Sequence, residues 1–201
     1  MNGRIVVLNG APRAGKTSIV RAMQESPGGN WVNLGVDQAM RTLPPQLLPG
    51  IGLRPGGERP DLEAVIPRLY LAAYDTIAAY AHQGFDVVAD FGHHDSYSKP
   101  LGILQACARR VTGLNVWFVG VRCPLEIIMA RRNADPQNGF YLAGEGIPQP
   151  VQRWQDAVHE PGIYDLELDT GALTPEQCAG RIREALDAQA LPTAFRRLAA
   201  L

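Results

Sequence analysis

The chain predicts a three-layer α/β/α sandwich built on a five-stranded parallel sheet, on three observations. Five short apolar runs alternate with stretches of helical period, the pattern of strands joined by crossover helices. The first run, Ile5-Val6-Val7-Leu8, leads directly into Gly10-Ala11-Pro12-Arg13-Ala14-Gly15-Lys16-Thr17. That octet meets the phosphate-loop pattern G-x-x-x-x-G-K-[ST] at every required position, between a strand and a helix as the pattern demands. The fourth run, Asn115 to Val121, is almost wholly apolar, as a central parallel strand must be. The class is that of P-loop NTPases of the nucleoside-monophosphate-kinase-like kind, with expected strand order 2-3-1-4-5.

The loop carries its own chemistry. Its backbone N–H groups and the N-terminus of the following helix converge on one point, where the helix dipole adds positive partial charge. Gly10 and Gly15 permit backbone conformations and a close phosphate approach that a Cβ would obstruct. Lys16 is placed to reach the β- and γ-phosphates of a nucleotide, and the Thr17 hydroxyl to reach Mg²⁺. The expected nucleotide-binding set is therefore Gly10, Ala11, Pro12, Arg13, Ala14, Gly15, Lys16, Thr17 and, at the helix start, Ser18. The chain has two lysines, Lys16 and Lys99, against seventeen arginines. Lysine stands at position 16 because a compact point charge suits a phosphate there better than a planar fork.

Bulk properties narrow the function. A chain of 201 residues has ample length for one α/β domain with a full core, spanning 1–201. The net charge of −1 and the absence of a basic block point away from nucleic acid and from anionic membranes. The four-residue apolar start runs into the phosphate loop and reads as a strand rather than a signal peptide. No stretch approaches transmembrane length. Cys107, Cys123 and Cys178 have no metal-type spacing and suit buried thiols in a reducing cytoplasm. A homo-oligomer is left open.

Taken in order, Trp31 to Leu34 reads as the second strand, and Asp37 follows it at the ligand-binding edge of the sheet. Asp37 also suits the N-cap of a helix beginning near Gln38. Residues 44 to 67 hold six of the sixteen prolines and four glycines, which excludes an ordinary helix or central strand. The expectation is an acceptor flap over about 41–67 with Arg54 and Arg59 as its cations, a solvated excursion being the alternative. Helical period returns through Leu69, Tyr70, Ala73, Ile77 and Tyr80, and Gly84 closes the run.

Phe85 to Asp90 is the expected third strand, and an apolar strand ending in Asp gives Asp90 the role of holding Mg²⁺ directly or through water. Next come His93 and His94. Neighbours on an extended chain face opposite ways, so the pair does not make a metal grip. One of them lining the acceptor pocket is the better reading. A helix is expected over 96–111. After the fourth strand, Pro124 opens a helix that carries Arg131 and Arg132 into a polar Gly/Pro segment, a lid over about 131–147 whose guanidiniums stack on adenine or stabilise the transferring phosphoryl group. A solvated helix end is the alternative. A short helix over 148–159, a fifth strand over 163–168, a base-contacting loop at Asp169-Thr170-Gly171 and a last helix from Thr174 complete the fold.

With these landmarks in place, the chain resembles the chloramphenicol phosphotransferase family over about residues 4–172. The resemblance rests on Ile5 to Gly10, the phosphate loop, Gly35-Val36-Asp37, Trp117-Phe118-Val119-Gly120-Val121-Arg122-Cys123 and the run from Val158-His159-Glu160-Pro161 to Tyr164-Asp165-Leu166-Glu167-Leu168-Asp169-Thr170. It implies ATP-dependent phosphorylation of a chloramphenicol hydroxyl, an antibiotic-inactivating reaction. It also implies that Asp37 is the base and that Lys16 and the lid arginines, here Arg131 and Arg132, contact ATP. The chain departs from the family pattern at Asp135-Pro136-Gln137-Asn138, at Phe91 to Ser96 and over 44–67, all on the acceptor side. The expected function is an ATP- and Mg²⁺-dependent O-phosphotransferase acting on a small hydroxylated molecule. Another small-molecule kinase of the same fold and a non-catalytic nucleotide-binding module are the rivals.

Overall fold

The structure, a computed structural model, describes residues 2–28, 30–56, 59–135, 146–188 and 190–201. Five parallel strands, β1 (Arg4–Asn9), β2 (Trp31–Asn33), β3 (Asp86–Phe91), β4 (Asn115–Arg122) and β5 (Leu166–Asp169), form one sheet in the order β2-β3-β1-β4-β5. This is the order the sequence predicts. Registers such as Leu8 opposite both Asp90 and Val119 bring the C-terminal strand ends to one edge. Both faces are buried. Ile5 and Val7 point into one apolar cluster, Val6 and Leu8 into the other, as the two-residue strand period requires. Helices α3 (Ile66–His82), α4 (Ile103–Arg110) and α8 (Ala194–Ala199) cover the first face, and α1 (Lys16–Glu25) and α7 (Pro175–Asp187) the second. Of the remaining helices, α2 (Val36–Arg41) packs Val36, Ala39 and Met40 against the first cluster, and α5 (Leu125–Ala134) and α6 (Gln149–Ala157) add Ile128 and Trp154 to the second. Among the described residues no helix is long and apolar enough to cross a membrane.

Four expected elements shift, each for a local reason. The helix expected over 96–111 is confined to α4. Pro100 offers no backbone N–H, and Gly102 sits at φ 61, so the chain turns there instead. Asp95 Oδ1 accepts from the N–H groups of Leu101 and Gly102, holding that turn. The fifth strand starts at Leu166 rather than Ile163 because Tyr164 and Asp165 serve other contacts. Helix α2 begins at Val36 with Gly35 as N-cap, so Asp37 lies in the first helical turn and is not a cap. The described part of the segment over 44–65 is packed on one side and solvated on the other, with Pro44, Pro45, Gln46 and Leu48 exposed. It forms single 3₁₀ turns at Pro45–Leu47, Gly50–Gly52 and Pro60–Leu62, and it buries Ile51, Leu53 and Leu62 in the core against α3.

Candidate active site

The phosphate loop wraps the N-terminus of α1 with two residues at positive φ, Arg13 at 67 and Gly15 at 94. Gly10 is required for another reason. A Cβ there would lie 2.4 Å from the Val121 carbonyl oxygen. Lys16 is only 9 % exposed, and its Nζ donates to the carbonyls of Gly10 and Ala11 at 2.8 and 2.9 Å. Burial lowers its pKa, while the charges of Asp90 and Asp37 act in the opposite sense. Both carboxylates therefore lie within electrostatic reach of the one lysine on the loop.

Thr17 Oγ1 donates to Asp90 Oδ2 at 3.0 Å, which joins the loop to the end of β3. Asp90 is 5 % exposed. Gly35 makes room for it: a Cβ at that position would fall 1.8 Å from Asp90 Oδ1. A hydroxyl and a carboxylate oxygen side by side are hard donors that fit Mg²⁺, which takes one or two protein oxygens and fills its shell with water and phosphate. Among the described residues no cluster of three or more His, Cys, Asp or Glu could hold a metal.

Beside the loop opens a cleft of about 470 Å³, lined by Arg13, Gly15, Lys16, Thr17, Ser18, Ile19, Arg131, Thr170, Leu173 and Pro175. Leu173 and Pro175 form an apolar wall that sequence reasoning did not single out. The Thr170 hydroxyl donates to Ala14 O at 2.7 Å, tying the β5–α7 loop to the phosphate loop. Arg131 completes the brace. Its Nη1 donates to Arg13 O and Thr170 Oγ1 at 3.2 Å, and its Nη2 to Thr170 O at 2.8 Å. Arg13 reaches across to Asp135, with a 3.3 Å ion pair and a bond to the Asp135 carbonyl, so the end of α5 is anchored on the loop.

The other expected residues are placed differently. Arg132, one residue from Arg131, is turned away from this cleft and is 4 % exposed, with Nη1 towards Asn133 Oδ1. The greater part of the expected lid, residues 136–145, lies outside the described residues. Asp37 is exposed at the ligand edge. Arg54 is half-buried in the packed 44–65 segment, and Arg59 is engaged locally with Asp61 and the Leu48 carbonyl.

The expectation that His93 or His94 faces an acceptor gives way. His93 is 2 % exposed within an aromatic cage of Tyr70, Tyr74 and Phe91, bonded through Nε2 to the Tyr74 hydroxyl at 2.8 Å. Burial holds its pKa down at about 3. His94 turns the opposite way, as alternation requires. Its Nδ1 accepts from Ser96 N, which leaves Nε2–H to donate to Leu53 O at 2.9 Å. It is therefore a neutral clip between the 44–65 segment and the β3–α4 loop. Gly56 N–H to Ser96 O, and Ser98 to the Glu63 carboxylate, are further ties between the same two segments.

Asn9 was overlooked as an element-ending polar residue, and it organises the site from beneath. Its Oδ1 accepts from His93 N, and its Nδ2 donates to Val158 O and to the Tyr164 hydroxyl at 2.7 and 2.9 Å. Tyr164 packs over Gly120, where a Cβ would meet the ring at 2.8 Å. Asp165 accepts from Phe118 N with one oxygen and from Thr193 N and Ala194 N with the other, fixing the start of α8. Glu167 pairs with Arg122. The distinctive run from Val158 to Thr170 is thus largely a framework that sets the end of α6 and β5 around β1 and β4.

Comparison with known proteins agrees with this geometry. The chain is 32 % identical, over 98 % of its length and 88 % of the relative's, to a Mycobacterium tuberculosis protein named provisionally as an O-phosphotransferase. In structure it is similar to the APS kinase of Mycobacterium tuberculosis in complex with AMPPNP and APS, with TM-score 0.64, 16 % identity and coverage of 93 % of this chain and 99 % of that one. It is also similar to the shikimate kinase of Acinetobacter baumannii in complex with shikimate, with TM-score 0.59, 14 % identity and coverage of 92 % and 93 %. At those identities the two structures attest the P-loop kinase fold. The chloramphenicol phosphotransferase-like family matches residues 3–187, nearly the whole chain and every element of the site, and this protein, an ATP-dependent phosphotransferase, belongs to that family.

Proposed function

We propose that this protein transfers the γ-phosphoryl group of ATP to a hydroxyl of a small, hydroxylated molecule in the cytoplasm, as an antibiotic-inactivating O-phosphotransferase of the chloramphenicol type. The single observation that carries the reading is the meeting of Lys16, the Thr17–Asp90 pair and Asp37 at one sheet edge. The name of the Mycobacterium tuberculosis relative supports the class of reaction. On this reading residues 1–201 act as one unit, with 41–67 as an acceptor wall and 131–147 as a lid.

The chain's own residues divide the work. The loop amides and Lys16 hold the ATP phosphates, and Lys16 exchanges its bonds to the Gly10 and Ala11 carbonyls for phosphate oxygens. Thr17 and Asp90 are the residues that would hold Mg²⁺, which supplies neutralisation of charge between the β- and γ-phosphates. Arg131 and Thr170 keep the base-side wall against the loop. Asp37 accepts the acceptor's proton and orients its oxygen in line with the γ-phosphorus. A loose transition state needs little proton abstraction until late, so orientation is the larger part of its effect.

The test is a coupled ADP-release screen against chloramphenicol and a panel of hydroxylated metabolites. Acceptor-dependent ADP release with a matching phosphorylated product is the expected result. Tight ATP binding without ADP release on any acceptor would overturn the reading in favour of a nucleotide-binding module.

A further inference from the structure

The distinctive run that begins Val158-His159 leaves one chemically active group that the mechanism above does not use. The C-terminal end of α6 sits directly over the start of the phosphate loop. Trp154 packs on Gly92, whose position lies next to the Gly10 carbonyl. Gln155 donates to Cys123 O at the end of β4, and the Val158 carbonyl is held by Asn9, the residue before Gly10. His159 follows at once, half-buried. Its ring feels the charges of Arg122, Glu167 and Lys16, all three at the ligand edge.

A hydrogen-bond chain reaches its ring. Asn9 Oδ1 accepts from His93 N, so the amide orientation is set and Nδ2 is the donor to Tyr164. The Tyr164 hydroxyl, receiving that bond, retains a hydrogen that it can give to His159 Nδ1, 2.9 Å away. A neutral imidazole with an accepting Nδ1 carries its hydrogen on Nε2. Burial and the cations of Arg122 and Lys16 hold the pKa of the ring down at about 4, against the opposing charge of Glu167, so the ring is uncharged at neutral pH. His159 makes no other hydrogen bond among the described residues. The result is a neutral imidazole beside the start of the phosphate loop, with Nε2 the nitrogen left for a ligand.

Resting on the phosphotransferase reading, we propose that His159 Nε2–H donates a hydrogen bond to a γ-phosphoryl oxygen of ATP, with Tyr164 and Asn9 as the residues that position it. The donor is neutral and adds no charge beside Lys16. A hydrogen bond to an ionised oxygen is among the stronger kind, and one directed at the γ-group distinguishes ATP from ADP.

The experiment is calorimetric titration of the full chain with AMPPNP and with ADP, for wild type, His159→Ala, His159→Gln and Tyr164→Phe. Such a bond predicts that His159→Ala weakens AMPPNP by about tenfold or more and leaves ADP unchanged. His159→Gln, whose amide N–H replaces the donor, is expected to recover most of the loss. Tyr164→Phe is expected to give an intermediate loss confined to AMPPNP. Equal loss for both nucleotides in His159→Ala, or no loss for either, overturns the proposal, since a packing role would not separate them. If a variant fails to fold, the ¹⁵N resonances of His159 in wild type decide. Nε2 protonated and shifted by AMPPNP but not by ADP supports the proposal, and an Nε2 resonance indifferent to the γ-group overturns it. Wild type binding neither nucleotide would instead remove the phosphotransferase reading on which this rests.

Discussion

The phosphate-loop side of this site and the side proposed for the acceptor are built in opposite ways. The donor side is one contiguous octet whose lysine, Lys16, bonds carbonyls five and six residues away, with a brace from Arg131 and Thr170 laid across it. The side proposed for the acceptor is assembled from separate pieces of chain. His94 ties to Leu53, Ser96 to Gly56, and Ser98 to Glu63, and α6 closes over Gly92 through Trp154. A local device carries its geometry in its own spacing. An assembled wall takes its shape from packing, so the same donor chemistry is compatible with many acceptors.

Two substitutions break that comparison most sharply. Lys16→Ala is expected to lower nucleotide affinity and turnover together, turnover by at least about a hundredfold, on the scale of a lost transition-state donor. Asp37→Asn is expected to lower turnover by about 10²–10⁴-fold, the range of general acid–base catalysis, with nucleotide affinity unchanged. Steady-state rates with the acceptor found by the screen, beside calorimetry with ADP, separate the two. Full turnover in Asp37→Asn would remove Asp37 from the mechanism.

Arg131→Ala tests the brace. It removes bonds to Arg13, Thr170 and the Thr170 carbonyl at once, yet leaves the loop amides in place. ADP affinity is expected to drop about tenfold, the equivalent of one or two net hydrogen bonds. Acceptor KM is expected to stay constant. A change confined to acceptor KM would assign Arg131 to the other side of the site.

Glu63→Gln is the matching probe of the wall. The buried Glu63 carboxylate shares the one Ser98 N–H between its two oxygens and accepts a second bond from the Ser98 hydroxyl, whereas an amide presents an N–H₂ to one of these donors. A several-fold rise in acceptor KM is expected, with ADP affinity untouched. The loss of a charge-assisted bond predicts a drop in stability of about 1–3 kcal/mol, read by chemical denaturation.

How far the sequence revealed this site follows the same division. The sheet order, the loop and the Asp at the end of β3 were legible because each depends on short-range periodicity or spacing. The packing of 44–67 was not legible, because proline and glycine content excludes regular elements without saying whether a chain is packed. Ile51, Leu53 and Leu62 find their core partners only through α3 and β3. His93 looked like a pocket residue because nothing in the sequence announces the cage formed by Tyr70 and Tyr74 from another element. Asn9 escaped notice because its three partners lie 84 to 155 residues away. Arg131 and Arg132 read alike in sequence, yet consecutive helical residues point about 100° apart, which brings one onto the loop and buries the other.

The remaining expected effect is one of acid on stability, and it begins beneath the proposed acceptor wall. His93 is neutral in the folded protein, its pKa lowered to about 3 by burial, whereas the unfolded chain protonates it near 6.5. Between those values the unfolded state binds more protons, so stability rises with pH across the window. The sign is definite: the contribution is fully present above about pH 6.5 and is lost progressively as pH falls towards 3. At pH 5 the loss from His93 alone is about 2 kcal/mol, and the lowered pKa of His94 acts in the same direction. Urea denaturation at pH 7 and pH 5 measures the difference. His93→Gln keeps a polar group facing the Tyr74 hydroxyl and is expected to flatten the slope while lowering stability at pH 7. Hydrogen exchange at pH 5 is expected to open the 44–65 segment and the β3–α4 loop before the amides of α1, because the histidine clip and cage hold the wall while the phosphate loop is held by its own carbonyls. Simultaneous opening of both sides would show that the two halves, though built differently, unfold as one.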